Sequence, residues 1–386
     1  MRFLHLADLH IGKQLYGYSL LEEQEKVLEW VADQAKERKV DAVLMAGDIY
    51  DKAVPSAEAV GVFDHFLTVL SSLSPEINIL IIAGNHDNAT RLDFASDILA
   101  KHKVYIAGMP PRQKNQYLQQ VALQDEFGPV HFYLMPYLKP GYVKQLTETG
   151  EIPDSYEAAV KMVLEREQIN QEERNVILAH QFFCSHGAEP ETCESETRMV
   201  GGLEQVDADC LLAFDYGALG HIHGPQRIGK DSIRYGGTLL KYSVSEERHH
   251  KCLTMVELFE KKDEPKITSI PVPLPRNVRT LRGTLKELCE DTSGNTEDFV
   301  RIVLTDEVES YRPREILEQK YTHILEIQID NQRTKALFTD QEEQLVFQNP
   351  REAFYNFFEL IQHRKMTEEE AEELNQVMQL VEEEQR

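Results

Sequence analysis

Asp41-Ala-Val-Leu-Met-Ala-Gly-Asp-Ile-Tyr-Asp51 decides how this chain of 386 residues is read. Apolar residues run unbroken from Ala42 to Ala46, Gly47 follows, and Asp48 and Asp51 come directly after it. A short apolar run bounded by a turn signal is the pattern of a strand buried on both faces. The arrangement repeats on either side. Upstream, Arg2-Phe-Leu-His-Leu-Ala7 leads into Asp8-Leu9-His10; downstream, Asn78-Ile-Leu-Ile-Ile-Ala83 leads into Gly84-Asn85-His86-Asp87. Between these runs, 21–39 and 56–73 read as helices, the first with Val27, Trp30, Val31 and Ala35 at helical spacing. Strand alternating with helix predicts a layered α/β domain.

Further strands are expected at 104–107, 130–135, 176–179, 216–219 and 233–235, with 252–258 closing the set, and a helix at 155–167. Two of them again end in polar residues, Ala179-His180-Gln181 and Gly220-His221-Ile222-His223. Ligands of open α/β sheets bind outside the carboxyl ends of strands. Five polar clusters at five such ends are expected to converge. In extended chain, alternate positions share a side, so Asp8 with His10 and His221 with His223 would each present two groups together. Carboxylate, carboxamide and imidazole without thiolate suit Mn²⁺, Fe²⁺ or Zn²⁺. Two ions sharing a carboxylate could activate water and neutralise a phosphoryl group. The glycines before Asp48, Asn85 and His221 would keep side chains clear of the metal.

Composition narrows the remaining choices. Hydrophobic residues are 41% and charged residues 28%, ordinary for a folded protein. No apolar stretch approaches the roughly 20 residues that span a bilayer. Asp8 and His10 interrupt any leader pattern, so a cytoplasmic location is expected. The five cysteines are scattered, with no Cys-x-x-Cys pair, which argues against a disulfide framework and a thiolate zinc site. No Gly-x-x-x-x-Gly-Lys-Ser/Thr phosphate loop occurs, so ATP hydrolysis by that route is not expected. A net charge of −25 opposes unaided binding to nucleic acid, which depends on Lys and Arg.

The ordered set D-x-H, G-D-x-x-D, G-N-H-D, a lone H and G-H-x-H resembles the signature of calcineurin-like metallophosphoesterases. More narrowly, His5-Leu-Ala-Asp-Leu-His-Ile-Gly12, Ala46-Gly-Asp-Ile-Tyr-Asp51, Ala83-Gly-Asn-His-Asp87 and Tyr216-Gly-Ala-Leu-Gly-His-Ile-His223 resemble the SbcD-type nuclease subunits of bacterial SbcCD complexes. Arg234-Tyr-Gly-Gly-Thr238 and Lys241-Tyr-Ser243 extend the likeness. The resemblance implies a four-layer β-sandwich flanked by helices, a small α/β capping domain and a C-terminal helical tail. It implies one metal on Asp8, His10 and His223, a second on Asn85, His180 and His221, and Asp48 between them. His86 corresponds to the catalytic histidine, with the Asp51 carboxylate accepting its hydrogen bond. Two Mn²⁺ are the expected cofactors, with Mg²⁺, Fe²⁺ or Zn²⁺ as alternatives. The implied activity is 3′-to-5′ exonuclease on duplex ends and endonuclease on single strands and hairpins, in DNA repair and recombination. Its implied partners are DNA, an SbcC-like coiled-coil ATPase and a second copy of the chain, the last through 56–73 and 92–101.

Three domains are expected: 1–270, the phosphoesterase; 276–338, a capping unit of strand, helix, strand, helix, strand; and 341–386, a tail. Pro271-Val-Pro-Leu-Pro275 separates the first two. The tail holds 12 acidic and 4 basic residues, two helical patterns (350–364 and 367–384), and Phe354, Phe357, Phe358 and Ile361 on one stripe. Thr367 with Glu370 fits a capping box, and the stripe suits the groove of a partner.

Plainer readings compete at several positions. Asp51 and Asp87 could cap helices. His5, His65, His102, His131, His186, His249 and His250 read as core or surface residues. Cys184 reads as a small buried residue, and Arg276, Arg279 and Arg282 as a solvated strand face. A protein or small-molecule phosphoesterase would share the metals. Against it, Lys52 stands after the second acid, where phosphatases of that kind carry arginine, and Asp87 replaces their usual Glu. A non-catalytic DNA-end tether would leave His86 without a purpose.

Overall fold

The computed structural model describes residues 1–147, 150–196, 204–292, 294–307, 312–331, 355, 358, 364–367, 370, 371 and 374. From the amino terminus, β1 (Arg2–Leu6), α1 (Leu21–Arg38), β2 (Ala42–Ala46), α2 (Ala57–Ser71), β3 (Asn78–Ile82) and β4 (Val104–Ala107) alternate strand with helix. The Ser56 side chain accepts from Ala59 N and caps α2, while Lys39 in the left-handed conformation closes α1. The chain continues through β5 (Gln119–Asp125), β6 (Gly128–Met135), α3 (Tyr156–Arg166), β7 (Arg174–His180) and β8 (Tyr216–Gly220). It then forms β9 (Gln226–Ile228), β10 (Lys230–Tyr235), β11 (Cys252–Glu257) and β12 (Lys266–Pro271).

Two six-stranded sheets result, in the orders β12-β11-β1-β2-β3-β4 and β9-β10-β8-β7-β6-β5. Their central strands are parallel: β1 to β2, β2 to β3, β6 to β7 and β7 to β8. Period-two alternation divides the side chains between layers. Phe3, Leu44, Leu80 and Ile82 meet Phe132, Leu134, Val176 and Tyr216 between the sheets. Leu4, Val43, Met45 and Ile79 instead pack with Val27, Val31, Phe63 and Phe66 of α1 and α2. Ile177, Leu219 and Ile233 pack with Val160 and Val163 of α3. The architecture is thus helix, sheet, sheet, helix, the four-layer sandwich expected. Because the central strands are covered on both faces, they read as continuous apolar runs.

Sequence reading missed the outer strands β5 and β12, which carry polar or exposed residues at most positions. Such edges bury too little to leave an apolar signature. It also treats Arg276, Arg279 and Arg282 as a solvated face; the structure corrects this for the half-buried Arg276 and Arg279, whereas Arg282 is exposed as expected. Each meets a carboxylate: Arg276 that of Glu23, Arg279 Nε that of Asp298 at 2.7 Å, and Arg282 that of Asp330.

Residue contacts divide the chain into two units. One is Met1–Thr280 with Ser293–Arg301 and Glu318–Glu326; the other is Leu281–Thr292, Ile302–Leu317 and Ile327–Arg386. Strands Val278–Gly283, Phe299–Leu304 and His323–Ile329 form a three-stranded sheet in that order. Helix Leu285–Glu290 starts in a capping box between Thr284 and Glu287. Most of the tail, including Phe354, Phe357 and Ile361 of its stripe, lies outside the described residues. Within it, Glu370 N donates to Thr367 Oγ1 at 3.3 Å and Thr367 N to Glu370 Oε2 at 2.9 Å, the reciprocal pair expected there.

Candidate metal centre

The carboxyl ends of β1, β2, β3, β7 and β8 deliver Asp8 and His10, Asp48, Asn85 and His86, His180, and His221 and His223 to one pocket. His10 Nε2 stands 3.2 Å from His223 Nε2. Asn85 Oδ1 stands 3.0 Å from His180 Nε2 and 2.9 Å from His221 Nδ1. Asp48 Oδ2 lies between the two sets, 3.7 Å from His10 Nε2 and 3.4 Å from His180 Nε2. Adjacent ligands round a cation with bonds of about 2.0–2.2 Å are about 3.0–3.5 Å apart, so these spacings fit metal ligation. Asp8 Oδ2 is buried with no hydrogen-bond partner, which also fits a site built for a cation. Asp8, His10 and His223 form one group able to hold an ion, and Asp8, Asp48 and His180 another. Between Asp8 and His180 the near nitrogen is Nδ1, at 4.0 Å. That atom is already held by the Ala46 carbonyl at 2.8 Å, which leaves Nε2, facing Asp48 and Asn85, as the nitrogen that could meet a cation.

The backbone that achieves this is not extended. Asp8, His10, Asp48 and His221 all have positive φ, at 53°, 42°, 50° and 103°. Alternation along a strand therefore does not account for the paired presentation of Asp8 with His10. Each left-handed residue costs about 1–2 kcal/mol and persists because the surrounding structure holds it. Asp8 N donates to Gly47 O and His10 N to Asp48 O, tying the first two loops together. Asp87 accepts from Gly84 N, Ile49 N and Tyr50 N, tying the second to the third. It is a loop clasp rather than a helix cap; Asn88 is the cap there.

The glycines act through close approach of these loops. A Cβ on Gly84 would stand 2.2 Å from Asp48 Oδ1, and one on Gly220 would stand 2.0 Å from Ala46 O. Hydrogen then occupies a position that no side chain could.

His86 Nδ1 is held at 2.9 Å by the main-chain oxygen of Asp51. The expected contact was with the Asp51 carboxylate, which instead receives Lys13 Nζ at 2.8 Å. A carbonyl oxygen only accepts, so Nδ1 carries the hydrogen and Nε2 is the nitrogen that gains or loses a proton. Asp51 thus orients His86 through its backbone. The rings of His86 and His10 stand edge to face, 4.8 Å between centroids.

Burial governs the electrostatics. It pushes the Asp8 carboxyl up to about 7, against the pull of His180 and His223. It drives His10 well below the ordinary value and, with the charge of His180, takes His221 down to about 3. Both are therefore neutral, as ligation requires. At Asp48 burial opposes the charge, but His180 outweighs it and holds the carboxyl far below the usual range. His180 is correspondingly raised to about 9, so a cation at its Nε2 competes with a proton.

A buried chain of polar groups behind His223 was not found from sequence. Ser195 Oγ lies 2.6 Å from His223 Nδ1 and 2.6 Å from Glu246 Oε1. Glu246 and Lys251 form a fully buried ion pair at 2.5 Å. Burial opposes the Glu246 charge, but Lys251 holds the carboxyl well below its ordinary range. An ionised carboxylate only accepts, so Ser195 donates to Glu246 and accepts from His223 Nδ1–H. That fixes the tautomer and aims the His223 Nε2 lone pair at the cluster. Nothing local marks Ser195, since it gains its role from His223 and Glu246, 28 and 51 positions away.

The family described as calcineurin-like phosphoesterase matches residues 1–225, and that described as type 5 capsule protein repressor C-terminal domain matches 274–362. The chain is 28% identical over 330 residues to the D subunit of nuclease SbcCD from Staphylococcus epidermidis, covering 84% of each chain. It is 29% identical over 293 residues to the corresponding SbcCD polypeptide of Staphylococcus saprophyticus, covering 75% of this chain and 74% of that one. Among solved structures, a phosphopantetheinyl hydrolase of Mycobacterium tuberculosis aligns with a TM-score of 0.37 and 13% identity, over 71% of this chain and 96% of that one.

Proposed function

Because the chain belongs to the calcineurin-like phosphoesterase family, whose members bind divalent metal, we propose that it is a metal-dependent DNA nuclease of the SbcCD type. The observation that carries this reading is the position of Asp48 Oδ2 between His10 Nε2 and His180 Nε2. Asp8, His10 and His223 would hold one ion, Asn85, His180 and His221 the other, and Asp48 both. A bound pair of divalent cations, Mn²⁺ in this proposal, supplies Lewis-acid polarisation of the phosphoryl oxygen and a water of lowered pKa. The chain's own contribution is position and proton transfer. Loop clasps hold the ligands, and burial keeps His10 and His221 neutral. His86, held at Nδ1 by the Asp51 carbonyl, donates a proton from Nε2 to the leaving oxygen.

The two curated relatives are named as subunits of a nuclease complex, and this supports DNA as substrate and an SbcC-like coiled-coil ATPase as partner. The proposal includes exonuclease action 3′ to 5′ on duplex ends and endonuclease action on single strands and hairpins. It keeps the division into 1–270, 276–338 and a partner-binding tail, 341–386. A homodimer is proposed through the helices near 56–73 and 92–101, where Phe94 is 81% and Ile98 63% exposed. Among the described residues no helix is long and apolar enough to cross a membrane; the proposed site of action is the cytoplasm.

The test is hydrolysis of duplex and hairpin DNA with Mn²⁺ against Mg²⁺, with and without the ATPase and ATP. His86→Ser should abolish cleavage while both metals stay bound. Loss of metal from that variant would reassign His86 as a ligand, and wild-type cleavage rates would remove it from the chemistry.

A further inference from the structure

The rim that carries the metal cluster also carries a concentration of positive charge. β11 is antiparallel to β1, with Thr254 opposite His5, so Cys252 lies at the end of the sheet where β1 delivers Asp8. β10 is parallel to β8, with Tyr235 beside Leu219, so Arg234 lies near the end where β8 delivers His221. Residues 236–251 connect these two points along the rim. They bound a cleft of about 910 Å³ lined by Arg234, Lys241, Arg248, His249 and Lys251, among others. The cleft shares a wall with the metal centre, because Lys251 Nζ donates to the main-chain oxygen of His223 at 3.1 Å.

This charge sits in a chain of net −25, and the nearby carboxylates are already engaged. Glu246 is buried against Lys251, and Glu247 accepts from Thr280 N at 2.7 Å and Thr280 Oγ1 at 2.6 Å. Among the described residues, Arg234 and Arg248 stand in no ion pair, whereas Arg276, Arg279 and Arg282 each have one. Arg234 Nε is buried with no hydrogen-bond partner. Burial and the neighbouring Lys251 hold Lys241 below the ordinary lysine value, a sign of crowded cations. Arg234 is only half-buried as a residue, but a buried guanidinium nitrogen without an acceptor is costly unless an anion completes it.

Resting on the nuclease reading, we propose that this cleft is the phosphate-binding track of the nucleic-acid strand as it leaves the metal centre, with Arg234 and Arg248 each engaging a backbone phosphate. Planar guanidinium groups suit phosphate oxygens, and phosphate contacts position a strand without reading its sequence.

The experiment measures binding of a fluorescent oligothymidylate to the full chain in metal-free buffer across a series of KCl concentrations. For a single strand each phosphate contact contributes about 0.7 to the slope of log Kd against log salt, which is about fivefold in affinity at 0.1 M salt. Arg234→Gln with Arg248→Gln should lower the slope by about 1.4 and weaken binding by about 25-fold. Hydrolysis of bis(p-nitrophenyl) phosphate, too small to reach the cleft, should stay within about twofold of wild type, since uniform binding of the strand leaves the chemical step unaltered. Arg248 is exposed, so Arg248→Gln alone guards against misfolding and should give half the change in slope. Unchanged slopes in both variants overturn the cleft assignment. A wild-type chain that hydrolyses the small ester but neither binds nor cuts oligonucleotide overturns the nuclease reading, and this proposal with it.

Discussion

Ser195→Ala tests whether the buried chain behind His223 controls metal binding. The hydroxyl lies 2.6 Å from both His223 Nδ1 and Glu246 Oε1. Removing it leaves Glu246 with Lys251 at 2.5 Å, Tyr242 N at 3.1 Å and Ser243 Oγ at 3.2 Å, so the ion pair survives. What disappears is the acceptor that keeps the hydrogen on His223 Nδ1. The imidazole is then free to carry it on Nε2, the nitrogen that faces His10. Loss of a partner that orients a ligating histidine typically weakens metal binding about 10- to 100-fold, which is about 1.4–2.8 kcal/mol. Calorimetric titration of metal-stripped protein with Mn²⁺ should show one of two sites weakened by that factor and the other unchanged. Excess Mn²⁺ should restore hydrolysis of bis(p-nitrophenyl) phosphate, and Ser195→Thr should bind like wild type. Equal affinity of wild type and Ser195→Ala at both sites would refute the role given to Ser195.

Two further predictions concern the loops and the strand below them. Gly84→Ala places a Cβ 2.2 Å from Asp48 Oδ1 and 2.3 Å from Asp48 N; overpacking of this kind costs about 1–3 kcal/mol. Thermal unfolding should register that loss and Mn²⁺ titration should show lower occupancy, whereas a fully stable, fully loaded variant would contradict the close-approach account. His5 is a pH sensor of stability: burial, then Arg234, lowers it to about 3, against about 6.5 in the unfolded chain. Between those values the unfolded state binds the extra proton, so stability is full above pH 6.5 and falls as pH drops through the window. Urea unfolding at pH 7 and pH 5 should show a loss about 2 kcal/mol larger in wild type than in His5→Gln. Equal losses would mean that His5 is not buried neutral.

Strand and helix order, the apolar runs of the two sheets and the five polar loops were all legible in the chain, because each depends on near neighbours. Ala42–Ala46 is apolar at every position since both faces are covered, and 3.6-residue spacing marks the buried side of α1. The outer strands β5 and β12 were not legible, for they bury too little. Local reading also misassigned causes at the site. Asp8 and His10 share a side through left-handed backbone, not strand alternation. Asp51 holds His86 through its carbonyl rather than its carboxylate. Arg276 and Arg279 look solvated until Glu23 and Asp298 are brought to them.

The residue types able to hold divalent metal were therefore written in five short segments, each readable alone. Their spacing was decided by tertiary structure. Asp8 Oδ1 accepts from His221 N, 213 positions away, and Ser195, on another loop, bridges Glu246 to the His223 ring. Contacts between groups so far apart along the chain exist only once two sheets have packed face to face, because their geometry is set by the shared core rather than by any local propensity.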